Sequence, residues 1–366
     1  MDKLNHHMMI LAREARGLTQ GELAAAMAIG QGTLSKYETG FSIDPPASFT
    51  QALSSCLGYP SGFFFEPERP FGLPPFHYRR RKKLAAKALA KIVADMNIRR
   101  LHLKKLLVSF EMKTKGVIPE IDMNEYQGKG RGAPSIEDIA GQVRAMWLLP
   151  KGPVANMIEL LETHGGVVIP CDFGTDLIDA MSQRIEGLPV LFFVNVNAPA
   201  DRLRHSLAHE LGHMVLHTVT LKSDEEMEDE ADEFAGAFLL PADELRPQLR
   251  KFDLRQLANL KQYWKVSMGA LAVRASRLNL ITPYQSKMFW IEMSKLGYRK
   301  TEPYEPPKET PRLLRDMIAF HVNKLDYSHA EMARLLHLNL HEFQEIYAPG
   351  AMGEVPPVRP RLRIVK

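Results

Sequence analysis

The chain has 366 residues, 45% of them hydrophobic and 25% charged, which is enough to bury two or three separate cores. Its net charge of +4 is too small to mark the whole molecule as a polycation, so any nucleic-acid signal must come from local clustering. Two distant cysteines exclude a disulfide framework or a thiolate metal site, the N-terminal apolar stretch is too short and interrupted for a signal peptide, and no run approaches the roughly 18 apolar residues of a membrane span, so a soluble cytoplasmic protein with no membrane partner is expected.

Residues 1–66 form the first unit. Thr19 is an N-cap candidate with Glu22 at the capping-box position, so a helix should start at Gln20 and run through Met27. A break at Ala28, Ile29 and Gly30 precedes a second helix from Gln31 to Glu38, stopped by Gly40. Leu23, Ala24, Ile29 and Leu34 fall on inward faces, which describes two short helices joined by a tight turn. In such a helix-turn-helix the start of the second helix enters the DNA major groove. Gln31, Thr33 and Lys36 are then the base-reading or phosphate-contacting side chains, and Gln20 reaches a phosphate from the first helix. The string L-T-Q-x-E-L-A-x-x-M, followed by T-L-S-K-Y-E-x-G, closely resembles the Xre/Cro-type repressor helix-turn-helix over residues 8–58. The resemblance implies double-stranded DNA as a partner. The weakly basic start at Gly30, Gln31 and Gly32 leaves open a unit kept only for protein contacts.

Residues 67–134 read as a linker followed by basic helices. Pro67, Pro70, Pro74 and Pro75, interleaved with Phe71 and Phe76, forbid a regular element, and the aromatics should pin the segment onto a neighbour. Between positions 79 and 115 thirteen Lys or Arg stand against two acids, beginning with five consecutive cations at 79–83, so this is the chain's one strongly basic run. Apolar residues at Leu84, Ala88, Ile92, Ile98, Leu101 and Leu106 predict one long helix or two shorter ones. A solvated basic face and added, salt-sensitive phosphate contacts fit the run equally well.

Residues 135–300 mix helices and strands. A helix starts after Ser135 and runs through Trp147, and a second covers 154–164 and ends at Gly165 and Gly166. Residues 167–170 and 188–194 read as strands of a small sheet. A free edge at 190–196 would let an extended peptide pair with it, whereas a strand buried within the sheet fits the same residues.

Next comes His209-Glu210-Leu211-Gly212-His213, an H-E-x-x-H pattern in an apolar helix. Residues four apart share a helix face, so His209 and His213 can bind one Zn²⁺ while Glu210 sits beside the metal-bound water as general base. His217 lies on the same face but about 12 Å of helix rise from His209, so one ion cannot bind all three. A third ligand is sought in the acidic run 223–233: Glu230 shares a face with Phe234 and Ala237, with Glu226 and Glu233 as alternatives. The run R-x-S-L-A-H-E-L-G-H-M-V-L-H, followed by E-A-D-E-F-A-G-A-F-L-L-P, resembles the ImmA/IrrE-type zinc metallopeptidases. By that resemblance His209 and His213 are ligands, Glu210 is the base and Glu230 is the third ligand of a gluzincin-like zinc metallo-endopeptidase with a zincin-like α+β domain.

Pro303, Pro306, Pro307 and Pro311 mark a second linker. Over 312–348 the apolar skeleton of the first unit recurs: Ser328 aligns with Thr19, Met332 and Ala333 with Leu23 and Ala24, Leu338 with Ile29, and Phe343 with Leu34. Glu342 and Glu345 replace Thr33 and Lys36, so this degenerate helix-turn-helix would repel phosphate and suits protein contact or dimerisation, and a homodimer is compatible with it. The basic end at 358–363 is expected to be mobile. The fold class expected is multidomain and mainly α: an all-α helix-turn-helix bundle, a central α+β metallopeptidase domain and a helical C-terminal region. The two resemblances together imply a DNA-binding peptidase that cleaves a repressor or partner protein in a stress, phage-defence or mobile-element response, with nucleic acid as a candidate activator. The alternative is a transcription regulator whose zinc domain is a sensor or scaffold.

Overall fold

The computed structural model describes residues 3–41, 44–72, 84–122, 134–218, 222–249 and 251–348. Pro74, Pro75 and Phe76, the cation run at 79–83 and the basic end at 358–363 lie outside the described residues. The chain divides into one unit of Met1–Arg69 with Arg315–Lys366 and a second of Pro70–Leu314.

The first unit begins with α1 (His6–Ala15), α2 (Gln20–Ala26), α3 (Gln31–Glu38) and α4 (Ala47–Leu57). Thr19 accepts a hydrogen bond from the Glu22 backbone N–H and Glu22 accepts one from that of Thr19, so α2 starts where its capping box requires. The turn to α3 runs through Ala28 at a φ of 53°, a left-handed conformation. Met8, Leu23, Leu34 and Leu53 are fully buried and form the bundle's core.

In the second unit, α5 (Ala86–Leu107) is one continuous helix. It is not a uniformly solvated basic face: Arg100 is buried, with its guanidinium 4.5 Å from the Phe71 ring centroid. The Asn97 amide holds both backbone groups of Phe71, at 2.7 and 2.9 Å, which fastens the start of the proline segment. There follow α6 (Ile136–Met146), α7 (Met157–Thr163), β1 (Gly166–Cys171), β2 (Ala180–Gln183), β3 (Val190–Asn195), α8 (Ala200–Leu216) and α9 (Asp224–Leu239). After these come α10 (Ala242–Leu245), α11 (Leu254–Trp264), α12 (Met268–Arg277) and α13 (Pro283–Lys295). The sheet has the order β1-β3-β2, with β1 parallel and β2 antiparallel to β3. β3 is therefore the central strand. Its backbone groups are engaged on both sides, so residues 190–195 offer no edge to a peptide, and the edge strands beside them are β1 and β2. The core beneath the sheet is built from Phe192, Leu207, Leu211, Phe234, Phe238 and Trp264.

The proline segment after α13 is not a free linker. Glu302 accepts hydrogen bonds from Met268 N and Gly269 N, Glu305 from Ala200 N, and Glu309 from Met157 N and Ile158 N. Three carboxylates of one extended strap thus satisfy orphan N–H groups at the starts of α12, α8 and α7.

Last come α14 (Leu313–Lys324), α15 (His329–Leu335) and α16 (Leu340–Tyr347). Ser328 and Glu331 form another capping box, Met332 and Phe343 are fully buried, and His337 takes a φ of 52° at the turn. Within the first unit Glu342 pairs with Arg16 at 2.5 Å. The described residues are mainly helical, with one three-stranded sheet, and none of their helices is long and apolar enough to cross a membrane.

Candidate metal centre

The site is assembled on α8 and α9. α8 is buried along nearly its whole length, so an apolar sequence here builds a core helix rather than a surface one. α9 starts at a capping box of Ser223 and Glu226, with acids in its first turn where the helix dipole favours them. The two helices cross at Gly212. A Cβ built there would stand 3.2 Å from the Ala231 Cα and 3.2 Å from the Phe234 Cβ, so the backbones approach as closely as glycine permits.

That crossing brings His209, His213 and Glu228 together, with ligand-type atoms all within 4.8 Å of one another. The two imidazole Nε2 atoms are 3.0 Å apart. Glu228 Oε1 is 3.3 Å from His213 Nε2, and Oε2 is 3.8 Å from His209 Nε2. Burial pushes the His213 imidazole down to about 3, so the ring is neutral at pH 7 and able to donate a lone pair. Glu228 Oε1 is buried and has no hydrogen-bond partner. Two imidazoles and a carboxylate with a buried, unsatisfied oxygen are a donor set suited to a divalent cation, and they fit zinc.

His209 is oriented from behind, because its Nδ1 lies 2.7 Å from Asp232 Oδ1. A carboxylate only accepts, so Nδ1 carries the ring proton and Nε2 presents its lone pair. His213 Nδ1 lies 2.9 Å from His217 Nδ1, and His217 Nε2 lies 3.0 Å from Glu230 Oε2. Lys222 pairs with the other oxygen of Glu230. Glu210 is fully buried and accepts a hydrogen bond of 2.7 Å at Oε2 from Ser182 on the edge strand β2.

Of the residues expected from sequence, His209 and His213 lie together with Glu210 on the same helix, whereas Glu230 stands on His217 and Lys222, outside the three-residue group. Glu228 occupies the position expected of Glu230. The physical reason is that the buried stripe of α9, made by Ala231, Phe234, Ala235 and Phe238, has two flanks. Glu228 (three before Ala231, seven before Ala235) lies on one flank and Glu230 (four before Phe234) on the other, and only the helix crossing decides which flank meets the histidines. Asp232, four residues after Glu228, shares its flank, and that spacing was the one signal available for both. Ser182, on a separate strand, shares no spacing with these residues, and only the fit of residues 179–182 to the resembled family pointed to its segment.

In the first unit Gln31, Thr33 and Lys36 are exposed on α3, and Gln20 is half-buried at the start of α2. Gln31 donates to Gln20 at 3.3 Å, and Gln20 donates to Glu38 at 3.1 Å. Glu38 is also held by Arg13 at 2.7 Å, so the two glutamines form a fixed polar edge, while no bond between them and Thr33 or Lys36 is formed.

Comparison with known families agrees with both halves. Residues 161–276 match the family model described as an IrrE N-terminal-like domain, of peptidase family M78, and residues 10–64 match one described as a helix-turn-helix. No curated protein matches the chain. The chain joins an Xre-type helix-turn-helix to a metallopeptidase-type domain, the composition of a DNA-binding regulator with a protease-like domain.

Proposed function

From this fusion we propose a DNA-binding, zinc-dependent endopeptidase of the cytoplasm that regulates transcription by cleaving a repressor or partner protein at a specific site. The observation that carries the reading is the convergence of His209, His213 and Glu228, with Glu210 braced from β2 by Ser182. His209 and His213 through Nε2, and Glu228 through its carboxylate, would hold Zn²⁺, which when bound supplies a Lewis acid that polarises the scissile carbonyl. Glu210 takes the proton of the attacking water and delivers it to the leaving amine. Ser182, donating to Oε2, fixes the orientation of that carboxylate. The helix-turn-helix, with Gln20, Gln31, Thr33 and Lys36 as its contacting side chains, places the peptidase beside DNA-bound proteins or lets nucleic acid gate it.

Glu210→Gln preserves the side-chain size and an acceptor for Ser182 while removing the base. Zinc content and DNA binding should stay at wild-type level while cleavage falls by about 10²–10⁴-fold. A proteomic comparison of cells carrying either form should find a regulator shortened only with the wild type. Zinc present with no Glu210-dependent cleavage would overturn the proposal in favour of a regulator whose metal domain is a sensor. That second reading is favoured by one observation: Glu210 and His213 are both 0% exposed, so a substrate must first open the site.

A further inference from the structure

We propose that the second helix-turn-helix is the fixed partner of the first within one chain, so that the protein engages DNA through a single reading helix at one unpaired half-site. The inference rests on the reading that α3 contacts DNA.

The two modules are copies in backbone as well as in sequence. α2 and α15 each have seven residues, and α3 and α16 each have eight. Both first helices open with a capping box, Thr19 with Glu22 and Ser328 with Glu331. Both turns pass through one left-handed residue, Ala28 at a φ of 53° and His337 at 52°. Both close on the same bond: Ile29 N donates to Ala24 O at 3.0 Å, and Leu338 N to Ala333 O at 2.9 Å. The start of α16 therefore corresponds to the start of α3, the part of a helix-turn-helix that enters the major groove.

The two starts are put to different uses. In the first module Ala28, Gly30, Gln31 and Thr33 are all exposed. In the second, the turn and the first turn of the helix dock on the first module. Glu342, in the place of Thr33, pairs with Arg16 at 2.5 Å. Asn339, in the place of Gly30, donates to Gly58 O at 3.4 Å. His337, in the place of Ala28, has its Nε2 2.5 Å from Glu66 Oε1 and its ring edge-on to Phe63. On the receiving side Arg16 is held in position to meet an acid: it donates to Leu57 O at 2.6 Å, and its guanidinium lies 4.3 Å from the Tyr59 ring centroid. The surfaces approach closely, since a Cβ on Gly62 would stand 3.1 Å from His337 Cε1.

What this docking leaves exposed does not suit DNA. Leu340, His341 and Glu345 are exposed on α16, and Glu345 stands where the first module has Lys36. An acid at that place repels phosphate. A dimeric helix-turn-helix protein brings two reading helices to half-sites about 34 Å apart. Here the second copy comes from the same chain and spends its reading end on the first, covering the end of α1 and the segment after α4. One chain thus carries one reading helix to DNA, and its target needs no dyad.

The test is selection of bound sequences from a random duplex pool by the full chain, followed by sedimentation of the complex on the enriched duplex. The enriched sequence should be one block without dyad symmetry, with one chain per duplex and a titration free of cooperativity. Two half-sites with centres about 34 Å apart, bound by two chains, would overturn the single reading helix while leaving DNA binding intact. No enrichment at all would overturn the DNA reading and the inference with it. The docking is tested separately by hydrogen exchange on the full chain. Glu342→Ala should raise exchange of the α16 amides several-fold, and in an Arg16→Ala background it should add nothing. An equal further rise in that background, or no rise from Glu342→Ala alone, would overturn the docking pair.

Discussion

Cys171 and Cys56 are chemically alike in the sequence and unlike in the fold. Cys56 is exposed, whereas Cys171 lies on β1 at 4% exposure, where burial pushes its thiol from the ordinary 9.0 up to about 12. At pH 8 a thiol reagent should therefore titrate one cysteine in the native chain and two after denaturation; two in the native state would contradict the burial. The native state holds the Cys171 proton more tightly than the unfolded chain does. This contribution to stability is thus complete below pH 9 and is lost as pH rises from there toward 12. The same contrast governs the acids of α9. Glu228 and Glu230 are two residues apart with one chemistry, yet one faces two imidazole Nε2 atoms and the other holds a lysine and a histidine.

At the scale of elements, the site depends on how closely α8 approaches α9. Replacing Gly212 by Ala places a methyl 3.2 Å from both the Ala231 Cα and the Phe234 Cβ, atoms that move only if α9 moves. The expected cost is about 1–3 kcal/mol in denaturant unfolding, with weaker zinc binding because Glu228 moves with the helix. Unchanged stability and affinity would mean that the crossing is slack. The fourth residue of the motif is thus explained by packing, not by chemistry. α8 is also held at Arg204, which is 2% exposed, is pushed down to about 10 by burial, and pairs with Glu309 of the strap. Glu309→Ala leaves that cation buried without its carboxylate, and α7 without its two capping bonds. A loss of about 3–5 kcal/mol is expected in urea unfolding, and a loss under 1 kcal/mol would show that the strap is dispensable. The start of α2 was readable because a cap is local, and Thr19 with Glu22 forms as its spacing requires; Glu226, offered as an alternative ligand, instead caps α9 with Ser223. β2 was not readable, since Ala-Met-Ser-Gln has neither alternation nor β-branched residues and becomes a strand only by pairing with β3.

At the scale of the whole molecule, the two family matches place a helix-turn-helix at 10–64 and a metallopeptidase-type domain at 161–276. If Lys36 contacts phosphate, Lys36→Ala should weaken binding alike on specific and random duplexes and lower the slope of log K against log salt by about 1. A loss confined to one sequence would instead make Lys36 a base reader, and no change would remove it from the interface. The recurrence of the helix-turn-helix skeleton at 328–343 was legible because the same apolar positions and caps recur. Its grouping with residues 1–69 was not, since no pattern within either segment encodes an ion pair such as Arg16 with Glu342.

The sequence alone determined what is local: the caps, the helical periods, the pair of histidines one helical turn apart and the glutamate between them. Each depends on residues within four positions of one another, where backbone geometry fixes the relation between spacing and face. Only the tertiary structure decided which carboxylate of α9 meets those histidines, which strand is the middle of the sheet, and that a proline-rich connector is a strap fastening three helices. Each of these depends on a crossing or a pairing between distant segments, and spacing along one segment carries no information about the angle at which another arrives.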